Sequence, residues 1–154
     1  VSYDLRQSNT SSRFSAFQYS TNGGTTWTTA TGSMITVGVD PSGTPIVGSV
    51  SAAGIMSRTT GDRWLNGTTV NLSSITAANN NANFAFRIVA AHDPAGSTFV
   101  TTSTGVNPIS ATSTWRFDMV TVDAVAVPEP ASLALVSGVV GFGLVRRMRR
   151  KATK

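Results

Sequence analysis

The side chains that could carry catalysis are few and scattered. The chain has no cysteine, a single histidine and, before residue 129, no glutamate, so the acidic groups of that stretch are six aspartates. Glycoside hydrolysis needs two carboxylates facing one cleft, and these aspartates fall mostly in turn-forming sequence. His92 has no second histidine with which to hold a metal, and no Gly-x-Ser-x-Gly motif singles out a serine. The sequence therefore predicts a protein that is not an enzyme and uses no cofactor.

The charge of the chain is concentrated at its C-terminus. Residues 1–127 carry six arginines, six aspartates and no lysine, so this stretch is neutral. The net charge of +5 comes from six basic residues between 146 and 154, less Glu129. A nucleic-acid-binding domain needs a stripe of basic side chains on its folded surface. We therefore expect no binding to nucleic acid.

The elements that must position these side chains are short strands. Ser and Thr supply 41 of the 154 residues; Thr favours strands, whereas Ser favours turns. Alternation of apolar and polar residues is clearest at Phe84, Phe86 and Ile88. In the last strand the large residues change parity between Phe117 and Val120, which predicts a β-bulge. The predicted strands are 1–6, 13–20, 35–39, 46–50, 68–72, 84–88, 98–102 and 114–125.

Turn-forming sequence separates these strands. Residues 73–83 have room for one helical turn at most, and no stretch of 1–125 has a convincing helical period. Several antiparallel strands without helices favour a β-sandwich over an α/β fold. The sequence thus predicts an all-β antiparallel β-sandwich over residues 1–126, and because the chain opens in mid-pattern at Val1 we expect N-terminal strands to be missing. The predicted turns are at 22–24, 40–43, 61–62, 66–67, 79–83 and 93–96.

The composition changes abruptly after the last predicted strand. Val127, Pro128, Glu129 and Pro130 are followed by fifteen uncharged residues, 131–145. As a helix this run would be roughly 22 Å long, shorter than the roughly 30 Å hydrocarbon core of a bilayer. Snorkelling of the arginines after it and local thinning relieve the deficit, so we expect one short C-terminal transmembrane helix. Its length alone would also allow a buried core helix. The basic cluster that follows is Arg146, Arg147, Arg149, Arg150 and Lys151.

This order of three parts resembles the PEP-CTERM sorting signal of Gram-negative bacteria over residues 128–154. The resemblance implies that an exosortase, a membrane protease, reads Val127–Pro130 and removes the tail nearby. Residues 131–145 would be a transient inner-membrane anchor and Arg146–Lys151 a stop-transfer signal that stays cytoplasmic. The protein would then reach the cell surface or extracellular matrix, as in a biofilm. An ordinary, permanent single-span anchor is the alternative.

A second pattern lies at the start of the body. It resembles the Asp-box, a hairpin of sialidases and many unrelated β proteins, with Asn22 in place of the usual aspartate. The resemblance implies a structural role, in which residue 22 caps the turn and the tryptophan packs beneath it. A sialidase would also need a tyrosine nucleophile, and Tyr3 and Tyr19 are both predicted strand positions. The matching residues are Ser20, Asn22, Gly24, Thr26 and Trp27.

A third resemblance is to jelly-roll modules, among them carbohydrate-binding modules. It rests on Leu72-Ser73, on residues 84–88 and on the strand 116–122. It implies a jelly-roll-like body, with Asp118 and its possible companion Asp4 as weak calcium ligands. Calcium needs six to eight oxygens, so two carboxylates define no metal site. The alternative is that Asp118 pairs with Arg116 or Arg87, or caps a backbone group.

The body is predicted to be a structural, adhesive or polysaccharide-contacting module, with extracellular polysaccharide as its candidate partner. A carbohydrate-binding module of a larger surface enzyme is the alternative. Tryptophans are the usual sugar contacts. We expect Trp27 to pack in the hairpin and Trp115 to pack in the core. Trp64, in turn-rich sequence, is the best of the three candidates for an exposed ring, although a buried tryptophan with a satisfied indole N–H is the commoner case.

Overall fold

The computed structural model describes residues 1–42, 48–103 and 109–124. The chain divides into two units, and the first, Val1–Asp123, holds all of the described strands. Short 3₁₀ turns lie at Gly32–Met34 and Thr76–Ala78, the second of them inside the segment predicted to hold one helical turn. The predicted all-β, antiparallel character is confirmed. The strands are β1 (Ser2–Gln7), β2 (Phe14–Ser20), β3 (Thr28–Thr29), β4 (Ile35–Thr36), β5 (Ser49–Val50), β6 (Ile55–Ser57), β7 (Arg63–Val70), β8 (Ala85–Ala91) and β9 (Trp115–Thr121).

These strands form two antiparallel sheets. The first sheet has the order β4-β7-β1-β9. In the second sheet β2 pairs with β8 along its whole length, so β3 and β6 share the opposite edge of β2, and β5 pairs with β6. The chain passes repeatedly from one sheet to the other. β1 is an interior strand of the first sheet and β2 of the second, and their side chains pack against each other.

The core lies between the inner faces of the two sheets. In β1 the side chains of Tyr3, Leu5 and Gln7 point inward and are buried, as the alternation predicted. The ring of Tyr3 stacks on that of Phe17 in β2, with 6.5 Å between centroids, and its hydroxyl donates to the Sδ of Met56 in β6. Burying a large apolar side chain of this kind stabilises the fold by about 1.5–3 kcal/mol. The body is therefore sandwich-like, with aromatic packing at its centre.

Two β-bulges shape the first sheet. The predicted one is confirmed: Ser2 pairs with Thr121 and Asp4 with Asp118, so β9 has one residue more than β1 between those pairs. The second lies in β7, where Tyr3 pairs with Thr68 and Leu5 with Leu65. The prediction of a turn at residues 66–67 was therefore wrong. Gly67, with a φ of +73°, supplies the left-handed backbone that this bulge requires.

Other strand predictions were only partly correct. The strand predicted at 35–39 ends at Thr36, because beyond it the chain keeps only an isolated bridge from Val39 to the bulge residue Asn66. Residues 98–102 form no strand, since Val100 and Thr102 bond instead to the loop before β2. β3, β6 and the first half of β7 were not predicted. Each is too short or too polar to display a period of two.

Candidate functional site

The Asp-box-like pattern forms the hairpin turn between β2 and β3, and Asn22 closes it. The Oδ1 of Asn22 accepts hydrogen bonds from the Ser20 hydroxyl at 2.8 Å and from the Thr26 backbone N–H at 2.9 Å. Its Nδ2 donates to the Thr26 hydroxyl at 2.9 Å. An aspartate could accept the same two bonds and a third from the hydroxyl. Asparagine can therefore close this turn in the same way as the aspartate of the usual pattern.

Ser20 and Gly24 bring the tryptophan of the pattern onto the turn. The buried hydroxyl of Ser20 accepts a hydrogen bond from the Gly24 N–H at 2.9 Å. Gly24 has a φ of +85°, and a Cβ on it would lie 3.2 Å from the Cζ2 of Trp27. A side chain at position 24 would thus both strain the backbone and crowd the indole. The structure brings all five residues of the pattern together in one local network.

Trp27 also contacts strand β8 through Arg87. The guanidinium carbon of Arg87 lies 4.1 Å from the centroid of the indole ring, which is a cation–π contact. The Nε of Arg87 donates to the Oε1 of Gln18 at 2.8 Å and is thereby held in place. Trp27 is half-buried as a result. Its ring surface serves the hairpin and β8, which leaves little of it for a sugar.

The aspartates of the body bond mainly to the chain's own backbone and side chains. Asp4 accepts a hydrogen bond from the Gly67 N–H at 2.7 Å, Asp118 from the Met119 N–H and Asp93 from the Ala95 N–H. Asp62 accepts from Arg6 and from Asn9. These bonds fix turns and bulges.

Asp4 and Asp118, the weak calcium candidates, occupy opposite positions on neighbouring strands. The sequence argument placed both on strands but could not give their register. Each accepts a backbone hydrogen bond, so the expectation that Asp118 caps a backbone group describes its contact in the structure. Within the residues that the structure describes, no group of three or more His, Cys, Asp or Glu side chains comes together. Two carboxylates supply too few oxygens for calcium.

Sequence reasoning missed a buried polar cluster around Arg58. Arg58 follows β6 in the second sheet and is 3% exposed. Its guanidinium donates to the carbonyl oxygens of Leu5 at 3.0 Å and of Arg63 at 2.9 Å, both in the first sheet. Burial lowers the pKa of Arg58 to about 10, against an opposing effect of Asp40, so the group stays charged at neutral pH. Arg58 thus links the two sheets, and we call it the Arg58 clamp. No local sequence pattern predicts that this arginine is buried.

Asp40 supports this cluster from the loop after β4. It is buried, and it accepts two hydrogen bonds from Ser42, one from the hydroxyl and one from the backbone N–H. These bonds lower the pKa of Asp40, and Arg63, 3.3 Å away, adds to the effect. The carboxylate is thus held in its charged form by local bonds. The same bonds hold the loop after β4 against β7.

The remaining chemistry-bearing side chains serve packing. Tyr3 and Tyr19 lie in β1 and β2, as predicted, and burial raises the pKa of Tyr3 well above its usual range. The Tyr3 hydroxyl lies in the core, where it donates to the Sδ of Met56. His92 is exposed and lies edge-on to Phe99, with 4.2 Å between ring centroids.

The other two tryptophans lie in the first sheet. Trp115 is half-buried and packs against the core, as expected. Trp64 lies in β7 opposite Arg6, not in a turn, and is also half-buried. The sequence reasoning placed it in turn-rich sequence because Gly61 and Asp62 precede it. No tryptophan of the described residues stands out as a fully exposed sugar platform.

The tail predicted to carry the sorting signal lies outside the described residues. This applies to Val127–Pro130, to the apolar run 131–145 and to the basic cluster from Arg146 to Lys151. Among the residues that are described, no helix has the length and apolar character to cross a membrane. No protein-family model, curated protein or solved structure matches the chain.

Proposed function

We propose that this chain is an exported protein that a C-terminal sorting tail delivers to the cell surface or the extracellular matrix. The observation that carries the proposal is the order of three parts at the terminus: Pro128-Glu129-Pro130, an uncharged run at 131–145 and a basic cluster from Arg146. The uncharged run anchors the protein in the inner membrane for a time. An exosortase-like protease then reads the proline motif and releases the body.

The position of the motif supports this route. β9 ends at Thr121 and the first unit ends at Asp123, so the motif at 128–130 follows the folded body in the chain. Proline fixes its own φ and disfavours helix in the residue before it. Two prolines around Glu129 therefore favour an extended segment with few backbone hydrogen bonds. Such a segment is suited to binding in a protease cleft.

We propose further that the released body is a non-catalytic structural or adhesive module with a jelly-roll-like arrangement. The carboxylates of Asp4, Asp40, Asp62, Asp93 and Asp118 are all engaged in hydrogen bonds with the chain itself. The repeated passage of the chain between two antiparallel sheets is in keeping with a jelly roll. A neutral surface rich in hydroxyls suits contact with hydrated polysaccharide.

The proposal is tested by removing the motif and following processing in the native host. Replacing Pro128, Glu129 and Pro130 by alanines should leave the chain at full length in the membrane fraction. The matched control is Pro94→Ala, which removes a proline from a turn of the body and should leave processing unchanged. Mass spectrometry of the C-terminus reads out both. Normal processing of the triple variant would show that the motif is misassigned.

A further inference from the structure

β9 is an edge strand with an unusually apolar exposed surface. It closes the first sheet next to β1, and no described strand pairs with its other side. Phe117 is 42% exposed, Val120 53% and Met119 69%. Soluble proteins protect such edges with charge, bulges or cover, because an open strand is a template for pairing with another chain. On this edge the bulge at Met119 limits the free stretch to its first residues, Trp115–Asp118.

The backbone of this stretch has two residues aimed at the open side, Trp115 and Phe117. The Ser8 N–H donates to the Thr114 carbonyl, which marks residues 8 and 114 as a hydrogen-bonded pair. Such pairs alternate along an antiparallel ladder, so Arg116 and Asp118 direct their N–H and C=O groups toward β1. Trp115 and Phe117 direct their N–H and C=O groups toward the open edge, and Phe117 is the one next to the charged residues. A strand that pairs here with β9 can therefore exchange two hydrogen bonds with Phe117.

The side chains on the outer face of β9 meet like charges on β1. Arg116 lies opposite Arg6, and Asp118 lies opposite Asp4. Like charges directly opposite one another destabilise a sheet. Arg6 is relieved by its ion pair with Asp62. Within the described residues, Arg116 and Asp118 form no ion pair.

We propose that a second copy of this chain pairs with β9 as an antiparallel strand, with the two-fold axis at Phe117. In that register Phe117 faces Phe117 of the second copy, and their backbones exchange two hydrogen bonds. Arg116 then lies opposite Asp118 of the second copy, and Asp118 opposite its Arg116. Two opposite-charge pairs form on the outer face, where in the single chain the residue directly opposite each β9 charge carries a like charge.

The occupant is a second copy because Arg116-Phe117-Asp118 is its own complement. When a second copy of the triplet runs antiparallel to the first, each arginine faces an aspartate and the two phenylalanines face each other. An isologous interface needs this property, since each residue must suit its symmetry mate. In the register with Phe117 on the two-fold axis, the backbone groups, the aromatic rings and the charges of the two strands all match.

The absence of cysteine in the chain allows a direct test of the register. The Cα atoms of a hydrogen-bonded antiparallel pair are about 5.5 Å apart, within the range of a disulfide. Full-length Phe117→Cys, in detergent under mild oxidation, should form a disulfide-linked dimer. The matched control Val120→Cys is also exposed, but its two cysteines would be about 20 Å apart and should remain monomeric. Equal cross-linking of both variants, or of neither, would overturn the register.

Charge reversal tests the proposed complementarity on the full chain by sedimentation. Arg116→Asp or Asp118→Arg alone turns two attractive pairs into repulsive ones and should weaken the dimer roughly tenfold. Each change places opposite charges across β1 and β9 in the monomer. Asp118→Arg also removes the acceptor of the Met119 N–H, so Arg116→Asp is the cleaner of the two single variants. The double variant restores both pairs and should recover the wild-type dissociation constant. A double variant as weak as the single ones, or single variants equal to wild type, would contradict pairing in this register.

Discussion

The hairpin between β2 and β3 and the edge strand β9 use similar residues with opposite results. In the hairpin, Asn22 and Ser20 form their hydrogen bonds within a few residues, and Trp27 contacts Arg87 of β8. In β9, Arg116 and Asp118 meet like charges, and Phe117 remains well exposed. The polar side chains of the hairpin are hydrogen-bonded within the chain, and they stabilise the fold. In the second region the charged side chains lie opposite like charges on β1, and this is why we propose that it serves association.

The largest effect is expected where a buried arginine donates hydrogen bonds from one sheet to the other. Arg58→Met removes two charged hydrogen bonds and leaves the carbonyls of Leu5 and Arg63 without those donors inside the sandwich. We expect the free energy of unfolding to fall by about 3 kcal/mol. Arg116→Met at the edge should change it by less than about 0.5 kcal/mol. Denaturant unfolding of both variants measures the contrast, and equal losses would mean that burial does not separate the two arginines.

A smaller loss is expected in the hairpin. Asn22→Ala removes the acceptor shared by Ser20 and Thr26 and should cost about 1–2 kcal/mol. Asn22→Asp keeps that acceptor and should stay within about 0.5 kcal/mol of the parent. Thermal unfolding followed by circular dichroism compares the two. If alanine is as well tolerated as aspartate, the side chain does not hold the turn.

The contact between Arg87 and Trp27 should contribute less. Arg87→Met loses the cation–π contact and the hydrogen bond to Gln18, both at an exposed position, and should cost about 0.5–1 kcal/mol. Arg87→Lys keeps the charge but not the planar group, and should fall between parent and methionine variant. Unfolding curves in urea give the ranking. A lysine variant weaker than the methionine variant would rule out a contribution from the cation.

The smallest effect concerns acid stability at Asp40. Because its pKa is lowered in the folded state, its contribution is present above the ordinary carboxyl pKa and is lost as the pH falls through the lowered value. Ser42→Ala removes the hydroxyl bond, so acid unfolding should begin at a higher pH. Ser33→Ala, on an exposed serine, is the control. Coincident acid transitions in both variants would contradict the assigned cause.

Local patterns in the sequence were sufficient for part of this structure. The alternation at Tyr3 and Leu5, the parity change after Phe117 and the hairpin at Ser20–Trp27 each depend on near neighbours, and each was predicted. The Arg58 clamp, the bulge at Gly67 and the pairing of Asp4 with Asp118 were not. These depend on which strands become neighbours and in what register, and no short stretch of sequence contains that information.

The mass of the mature C-terminus in the native host tests the sorting proposal most directly. We expect the surface fraction to contain a chain that ends near Pro130. Cleavage there leaves six arginines against six aspartates and Glu129, a formal charge of −1 in place of +5. Isoelectric focusing of the same fraction should show the change. A surface-exposed chain with its terminus intact at Lys154 would contradict removal of the tail and favour a permanent anchor.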